Sequence, residues 1–363
     1  MPNPKNFCII MAGGIGSRFW PMSRTANPKQ FHDVLGTGQS LLQQTFERFM
    51  AICPPENIYI VTNAQYRDLV LEQLSEIGKE QVLLEPSRRN TAPCIAYANH
   101  KIAKREPNAS IVVAPADHLV LKNQVFVESI ETALDQAERS QNLVTLGIKP
   151  SRPDTGYGYI QFETEPSSAK SNVKRVKTFT EKPGIELARE FLKSGDFYWN
   201  SGIFVWTLPA ILEAFKKYLP EVDELFEGIS EHYNTEQEAS QIAKVYSVCE
   251  SISIDYGIME KADNVNVVLS DFGWSDLGTW GSLFTHIRKD KDNNAILGKN
   301  VVVQSSKDNM IQVPAGKLVV LQGLDDYIVV DTEDVLMVCP KEDEQKIKQI
   351  VTDLKASKNA KFV

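Results

Sequence analysis

The sequence predicts an α/β fold: a Rossmann-like, mostly parallel sheet flanked by helices, followed by a small β-rich unit. Three observations carry this. Strand-like and helix-like segments alternate through the first 150 residues, as βαβ units require. The strand-like segments are near-continuous apolar runs, the pattern of strands buried on both faces. Around Ile296 the texture changes to short Val/Ile/Leu runs separated by Gly, Asp or Asn, with no long helix between them.

Taken in order, Phe7–Met11 is an apolar strand that runs into Gly13-Gly14. Ser40 opens a helix, with Gln43 three residues on as its capping-box partner; Leu41, Leu42, Thr45, Phe46 and Phe49 share one face. Residues 58–62 read as a strand, and Tyr66, Leu69, Val70 and Leu74 follow at helical spacing. Strands at 82–84, 110–114 and 143–148 alternate with helices at 93–104 and 124–139. The middle of the chain is less regular, interrupted by Gly156-Tyr-Gly-Tyr and Asn200-Ser-Gly. Apolar runs at 301–303, 318–321, 327–330 and 335–338 read as a small all-β unit of solenoid character. Ile347, Ile350, Val351 and Leu354 form a closing helix. The charged stretch Arg288–Asn294 suggests two domains, 1–290 and 291–363.

The chain has 363 residues, 42 % of them hydrophobic and 24 % charged, an ordinary globular composition. Its net charge of −8 argues against a nucleic-acid or anionic-membrane coat, so an anionic ligand needs a local cluster of cations. The cysteines Cys8, Cys53, Cys94, Cys249 and Cys339 are odd in number and far apart, with no CxxC. This disfavours structural zinc and a disulfide framework and fits a reducing compartment. No apolar run is long enough to span a membrane. The expectation is a cytoplasmic protein with neither nucleic-acid nor membrane partners.

The strongest chemical signal is Ala12-Gly-Gly-Ile-Gly-Ser-Arg-Phe-Trp-Pro, followed by Pro28-Lys-Gln-Phe. Glycines directly after a first strand let backbone N–H groups approach a phosphate. The spacing is not the dinucleotide fingerprint, because Phe19 stands at its third glycine position. It is not a Walker loop either, since no Gly-Lys is followed by Ser or Thr. Arg18 and Lys29 instead place two cations beside a glycine nest, as a triphosphate requires.

This text resembles the sugar-phosphate nucleotidyltransferases, with Gly-Gly-x-Gly-x-Arg followed by Pro-Lys. Arg18-Phe-Trp-Pro-Met-Ser-Arg and Pro28-Lys-Gln-Phe are similar to the mannose-1-phosphate guanylyltransferase branch of that family. The resemblance continues, in the family's order, through Glu85-Pro-Ser-Arg-Arg-Asn-Thr-Ala-Pro, Pro115-Ala-Asp-His, Thr155-Gly-Tyr-Gly-Tyr-Ile and Glu181-Lys-Pro. It then runs through Trp199-Asn-Ser-Gly-Ile-Phe, Ser253-Ile-Asp-Tyr-Gly-Ile-Met-Glu-Lys and Trp274-Ser-Asp-Leu-Gly-Thr-Trp. It covers about residues 7–280 and implies a nucleotidyltransferase domain with a left-handed β-helix-like C-terminal unit.

The implied reaction joins GTP and mannose 1-phosphate with Mg²⁺, giving GDP-mannose and pyrophosphate. A phosphate oxygen of the sugar phosphate attacks the α-phosphorus in line. Positioning and charge neutralisation dominate such a step, and an already ionised phosphate needs no general base. The resemblance assigns the triphosphate to Arg18, Lys29 and the loop residues Ala12, Gly13, Gly14, Gly16 and Ser17. It matches Asp117 and Asp276 to metal-ligand positions and Lys182 to the residue that holds the sugar phosphate. Two aspartates suffice for magnesium, which fills its octahedron with phosphate oxygens and water. Read alone, Asp276 fits a helix N-cap equally well. His118 receives no proton-transfer role.

The segment from Glu85 to Pro93 matches the purine-contacting stretch, with Glu85, Asn90, Thr91 and Ala92 as candidates. Glu85 suits the acceptor for guanine N1–H and N2–H₂, although the same residue also fits a strand end. Tyr157, Gly158, Glu181 and Asn200 are candidates for the sugar; Tyr157 and Trp199 fit core packing as well. A thymidylyl- or uridylyltransferase is the alternative of the same fold. A non-catalytic nucleotide-sugar-binding subunit is the alternative of another class, and it is disfavoured because Arg18, Lys29 and both aspartates are present. An isomerase domain needs well over a hundred residues more, and only about 73 follow residue 290, so none is expected. The segment after 290 lacks a cation cluster like that of the N-terminal loop and reads as structural and associative. The resemblance implies a homodimer.

Overall fold

The computed structural model describes residues 2–164 and 171–363, which form two compact units. The larger comprises Met1–Gly13, Thr45–Ala116 and Val120–Trp274; the smaller comprises Gly14–Gln44, Asp117–Leu119 and Ser275–Val363. The strands are β1 (Asn6–Met11), β2 (Ile58–Asn63), β3 (Val82–Glu85), β4 (Ser110–Pro115), β5 (Leu119–Val120), β6 (Leu143–Ile148), β7 (Tyr159–Phe162), β8 (Val173–Thr180), β9 (Phe197–Thr207), β10 (Val265–Ser270), β11 (Trp274–Ser275), β12 (Ala295–Leu297), β13 (Val301–Gln304), β14 (Met310–Gln312), β15 (Val319–Gln322), β16 (Tyr327–Asp331) and β17 (Leu336–Pro340). The helices are α1 (Leu41–Met50), α2 (Arg67–Gln73), α3 (Thr91–Ala103), α4 (Asn123–Ser140), α5 (Ile185–Ser194), α6 (Leu208–Tyr218), α7 (Pro220–Glu227), α8 (Glu238–Val248), α9 (Trp280–His286) and α10 (Ile347–Lys355).

The larger unit is built on a nine-stranded sheet in the order β3-β2-β1-β4-β9-β6-β10-β8-β7. Strands β3, β2, β1 and β4 pair in parallel, as do β6 and β10. The eleven-residue β9 lies antiparallel between β4 and β6, so those two run the same way. Only β8 and β9 oppose the common direction. The run Phe7–Ile10 is almost wholly buried, as a strand with both faces covered must be. Order reverses at β1, which has β2 on one side and β4 on the other, making a topological switch point. Open α/β sheets bind ligands in the crevice beyond the carboxyl ends of such strands.

The smaller unit contains a β-solenoid. Strands β12, β14 and β16 stack in parallel, β13 pairs in parallel with β15, and β17 closes the stack antiparallel to β16. A buried asparagine ladder helps hold successive turns in register. Asn294 Oδ1 accepts from Asn309 Nδ2 at 2.9 Å, and Asn309 Oδ1 accepts from the Tyr327 N–H at 2.8 Å. Short β12 and β14 are absent from the sequence reading because three-residue strands carry too little pattern.

The compact units do not follow one cut near residue 290. Phe19, Trp20, Val34 and Leu41 bury in one core with Trp280, Leu283, Met310, Ile328, Ile347 and Val351. Trp280 Nε1 donates to the Trp20 carbonyl at 3.2 Å, and Trp20 Nε1 donates to the Phe362 carbonyl at 2.8 Å. The glycine-containing loop therefore packs with the C-terminal β unit, a partition that long-range packing imposes and local sequence texture does not show. The Ser40–Gln43 capping box forms as expected: Ser40 N–H donates to Gln43 Oε1 at 2.9 Å, and Gln43 N–H to Ser40 Oγ at 3.2 Å.

Candidate active site

The smaller unit holds a cleft of about 280 Å³, lined by Gly16, Ser17, Arg18, Lys29, Asp117 and Asp276 together with His118 and Lys348. Gly16 adopts φ +63°, and a Cβ there would sit 2.8 Å from Lys29 Cβ, so glycine is required on both counts. The turn Ser17–Phe19 that follows exposes Arg18 while burying Phe19. Gln30 Nε2 donates to the Gly14 carbonyl at 3.0 Å and ties the loop's start to Pro28-Lys-Gln-Phe.

Lys29 is 3 % exposed. Its ammonium lies 2.8 Å from Asp117 Oδ2 and donates to the carbonyls of Asp276 at 3.0 Å and Leu277 at 2.9 Å. One buried cation thus joins the Asp117 carboxylate to the backbone of the Asp276-Leu277 turn. Burial opposes the Asp117 charge, but the Lys29 ammonium, then His118, outweigh it and hold the carboxyl below its ordinary range. The Asp276 carboxylate accepts from the Gly278 N–H at 2.9 Å. Asp276 is not a helix N-cap: the cap of α9 is Thr279, whose hydroxyl accepts from Ser282 N–H.

In the larger unit Ala12 follows β1, and its N–H donates to the Val61 carbonyl at 2.8 Å. Gly13 comes next; a Cβ on it would stand 3.4 Å from Glu85 Oε2. Glu85 ends β3 and is buried, and burial pushes its carboxyl up to about 7 against the Tyr246 hydroxyl, which donates to Oε1 at 3.0 Å. Asn90 caps α3, its Oδ1 accepting from Thr91 N–H at 3.0 Å. Thr91 Oγ1 accepts from Ile254 N–H at 2.9 Å, and Ala92 N–H donates to the Ile252 carbonyl at 3.1 Å. Thr91 and Ala92 therefore fasten α3 to the segment before Asp255.

The same unit gathers the candidate sugar residues. A Cβ on Gly158 would lie 2.4 Å from Glu181 Oε2, so only glycine leaves the Glu181 carboxylate in place. Lys182 pairs with Glu181 at 2.5 Å and is half-exposed, on a backbone at φ +47°. Tyr157 packs edge-on to Trp199 and Trp274, and the Arg152 guanidinium lies over Tyr157 and Trp199. Asn200 Oδ1 accepts from Thr145 Oγ1 at 3.1 Å, and its Nδ2 donates to Asp255 Oδ1 at 2.9 Å. Asp255 opens a π-helical turn, Asp255–Met259; burial, then the charge of Glu181, raises its carboxyl to about 7.

Sequence reasoning missed Tyr246, Arg152, Asp255 and Lys348. Asp255 lies inside the Ser253-Ile-Asp-Tyr text and its carboxylate was a findable signal. Lys348 carries none, because a lysine on an amphipathic helix looks like any solvated one. The segment after residue 290, expected to be structural and associative and to lack a cation cluster of its own, contributes this one lysine to the lining of the cleft.

Residues 7–293 match the family model described as nucleotidyl transferase, and residues 298–354 match the MannoseP isomerase/GMP-like beta-helix domain. The mannose-1-phosphate guanylyltransferase of Salmonella montevideo is 38 % identical over 353 residues, covering 96 % of this chain and 73 % of that protein. The mannose-1-phosphate guanylyltransferase of Escherichia coli is 35 % identical over 355 residues, covering 96 % and 75 %. Among solved structures, "mannose-1-phosphate geranyltransferase" from Thermus thermophilus matches with a TM-score of 0.86 and 32 % identity, over 97 % of this chain and 99 % of that one. With the glycine loop, the switch-point sheet and the solenoid all accounted for by these matches, the chain belongs to the nucleotidyl transferase family, in its group of mannose-1-phosphate guanylyltransferases.

Proposed function

We propose that the chain transfers GMP from GTP to α-D-mannose 1-phosphate, giving GDP-mannose and pyrophosphate. The observation that carries this reading is Lys29 bridging Asp117 and the Asp276 turn in a cleft that also presents Arg18 and the Gly16-Ser17 backbone. A nonbridging oxygen of the sugar phosphate attacks the α-phosphorus. The bond from that phosphorus to the α–β bridging oxygen breaks, and its electron pair leaves with pyrophosphate. Arg18 and the loop N–H groups hold the triphosphate, and Lys29 keeps both aspartates aimed at it. Glu85 accepts from the guanine edge once ionised, with Asn90 beside it. Gly158, Glu181 and Asn200 take the sugar hydroxyls, and Lys182 takes the sugar phosphate.

Asp117 and Asp276 fit a magnesium ion. They line one cleft, and Asp117 is held ionised. No group of three or more His, Cys, Asp or Glu suited to a metal occurs among the described residues, so the remaining positions would fall to phosphate oxygens and water. Bound there, the ion would neutralise charge on the transferring and leaving phosphates.

A homodimer is supported by exposed apolar residues on the solenoid: the register partners Val302 and Val320 on the sheet of β13 and β15, Leu318 just before β15, and Leu336 and Val338 on β17. Five buried free thiols and the lack, among the described residues, of any helix able to cross a membrane support a cytoplasmic setting.

The test is coupled pyrophosphate release with GTP, ATP, UTP and dTTP, each against mannose 1-phosphate and glucose 1-phosphate. Release is expected to be fastest with GTP and mannose 1-phosphate. A clear preference for dTTP or UTP would replace this reading with another specificity of the same fold.

A further inference from the structure

Taken together, the Arg18, Lys29, Asp117 and Asp276 side chains of the cleft offer a polyanion no net positive charge. Asp117 and Asp276 offset Arg18 and Lys29, leaving the four together formally neutral. Lys29 is moreover engaged internally, its ammonium committed to the Asp117 carboxylate and two backbone carbonyls. The remaining lining residues with a permanent positive charge are Arg18 and Lys348, both exposed. Neither forms an ion pair among the described residues, so both are available to an incoming anion.

Lys348 is also held in place. It sits in the first turn of α10, directly after Ile347, which is fully buried, and one turn before Val351, which is 5 % exposed. Ile347 and Val351 bury in the core that contains Phe19 and Trp20, the residues next to Arg18. The packing that fixes the Ser17–Phe19 turn therefore also fixes the Cα of Lys348, while its four-carbon stem leaves the ammonium free to follow a ligand.

From this geometry we infer that Lys348 is a phosphate-binding residue, which carries the charge of the GTP triphosphate and of the pyrophosphate that leaves it. The inference rests on the proposed guanylyltransferase reading. It makes the C-terminal unit part of the substrate site as well as a support for it. With Lys348 the side chains of the cleft carry a net positive charge, which adds to that of a bound magnesium ion in attracting a tri- or tetra-anionic group.

The test compares wild type, Lys348→Gln, Lys348→Glu and Lys348→Arg. Titration of inorganic pyrophosphate by calorimetry, with magnesium present, is read alongside KM for GTP, KM for mannose 1-phosphate and melting temperature. A lost charge-assisted contact corresponds to about tenfold. Lys348→Gln is expected to weaken pyrophosphate binding and raise KM for GTP by about that factor. Lys348→Glu should do more, and Lys348→Arg should recover most of the loss. Melting temperature and KM for mannose 1-phosphate should stay unchanged. Unchanged pyrophosphate binding in both Lys348→Gln and Lys348→Glu would overturn the assignment, as would an equal rise in both substrate KM values. A wild-type protein that binds pyrophosphate through Lys348 but releases none from GTP and mannose 1-phosphate would overturn the proposed reaction while leaving this anion site standing.

Discussion

Asp117 and Glu85 are both acidic residues assigned to substrate handling, and folding largely removes both from water. Their carboxyls nevertheless move in opposite directions. Asp117 has an ammonium 2.8 Å away, which holds its carboxyl below the ordinary range. Glu85 has a phenol as its close partner and only a more distant Arg88, and burial lifts it to about 7. Asp255 behaves like Glu85, since its neighbours are the Asn200 amide and the like charge of Glu181. One region of the molecule keeps its carboxyl charged through a close ammonium. The other holds carboxyls near neutrality, where a small change of partner switches them between donor and acceptor. Burial alone does not set a carboxyl's state: it prevails at Glu85 and Asp255, and a close cation overrides it at Asp117.

The largest expected effect comes from removing the charge that distinguishes the two regions. Lys29→Ala should lower turnover by about 10²–10³. Because Lys29 is buried and bonded to Asp117, the melting temperature should fall as well, and Asp117 should titrate at higher pH. A folded Lys29→Ala protein with near-wild-type turnover would break the comparison at its root.

Next come the aspartates themselves. Asp117→Asn and Asp276→Asn should each reduce turnover and raise the magnesium concentration required. The double variant should be about as impaired as the worse single, because ligands of one ion are not additive. Turnover measured against magnesium for all four proteins checks this. Fully multiplicative losses with an unmoved magnesium dependence would mean that the two residues act independently.

A smaller effect belongs to Glu85. As an ionised acceptor it should favour GTP more as pH rises from 6 to 8, passing through about 7. Glu85→Gln should flatten that profile and weaken GTP by about tenfold at pH 8, the size of a charged hydrogen bond. The sign for stability is the reverse. A carboxyl raised in the folded state contributes stability below its unfolded pKa, and that contribution is lost as pH climbs towards 7. Asp117, held low, contributes above its unfolded pKa and loses it as pH falls through the folded value. Denaturant melts of wild type and Glu85→Gln across this range should converge at acid pH and diverge towards pH 8.

The smallest expected change is at Asp255. Asp255→Asn keeps the size and removes a charge near Glu181. It should alter KM for mannose 1-phosphate by about threefold, as one neutral hydrogen bond would, and remove pH dependence between 6 and 8. A loss confined to GTP would place Asp255 with the base instead of the sugar.

Much of this molecule is legible along the chain. The strands from Phe7 to Ile148 announce themselves because buried parallel strands must be apolar on both faces. The helix at Ser40 does so because its capping box is written in adjacent residues. Arg18 and Lys29 stand out because they share one loop with the glycines. The reversed strand β9 was not legible, since Asn200 and Gly202 interrupt its pattern, and neither were β7, a four-residue strand, and β8, whose run carries three cationic residues.

By itself, the sequence determined the alternation of strands and helices through the first 150 residues, the family and the residue types available for chemistry, because each is encoded in neighbouring residues. Tertiary structure alone decided which of them meet. Lys29 reaches the carbonyl of Asp276 across 247 positions, and no local pattern specifies that contact. It likewise decided that the glycine loop shares a core with the solenoid, that Lys348 lines the cleft, and that Asp117 is charged while Glu85 titrates near 7. Those outcomes depend on burial and on the nearest charge, and both come into being only when distant segments pack.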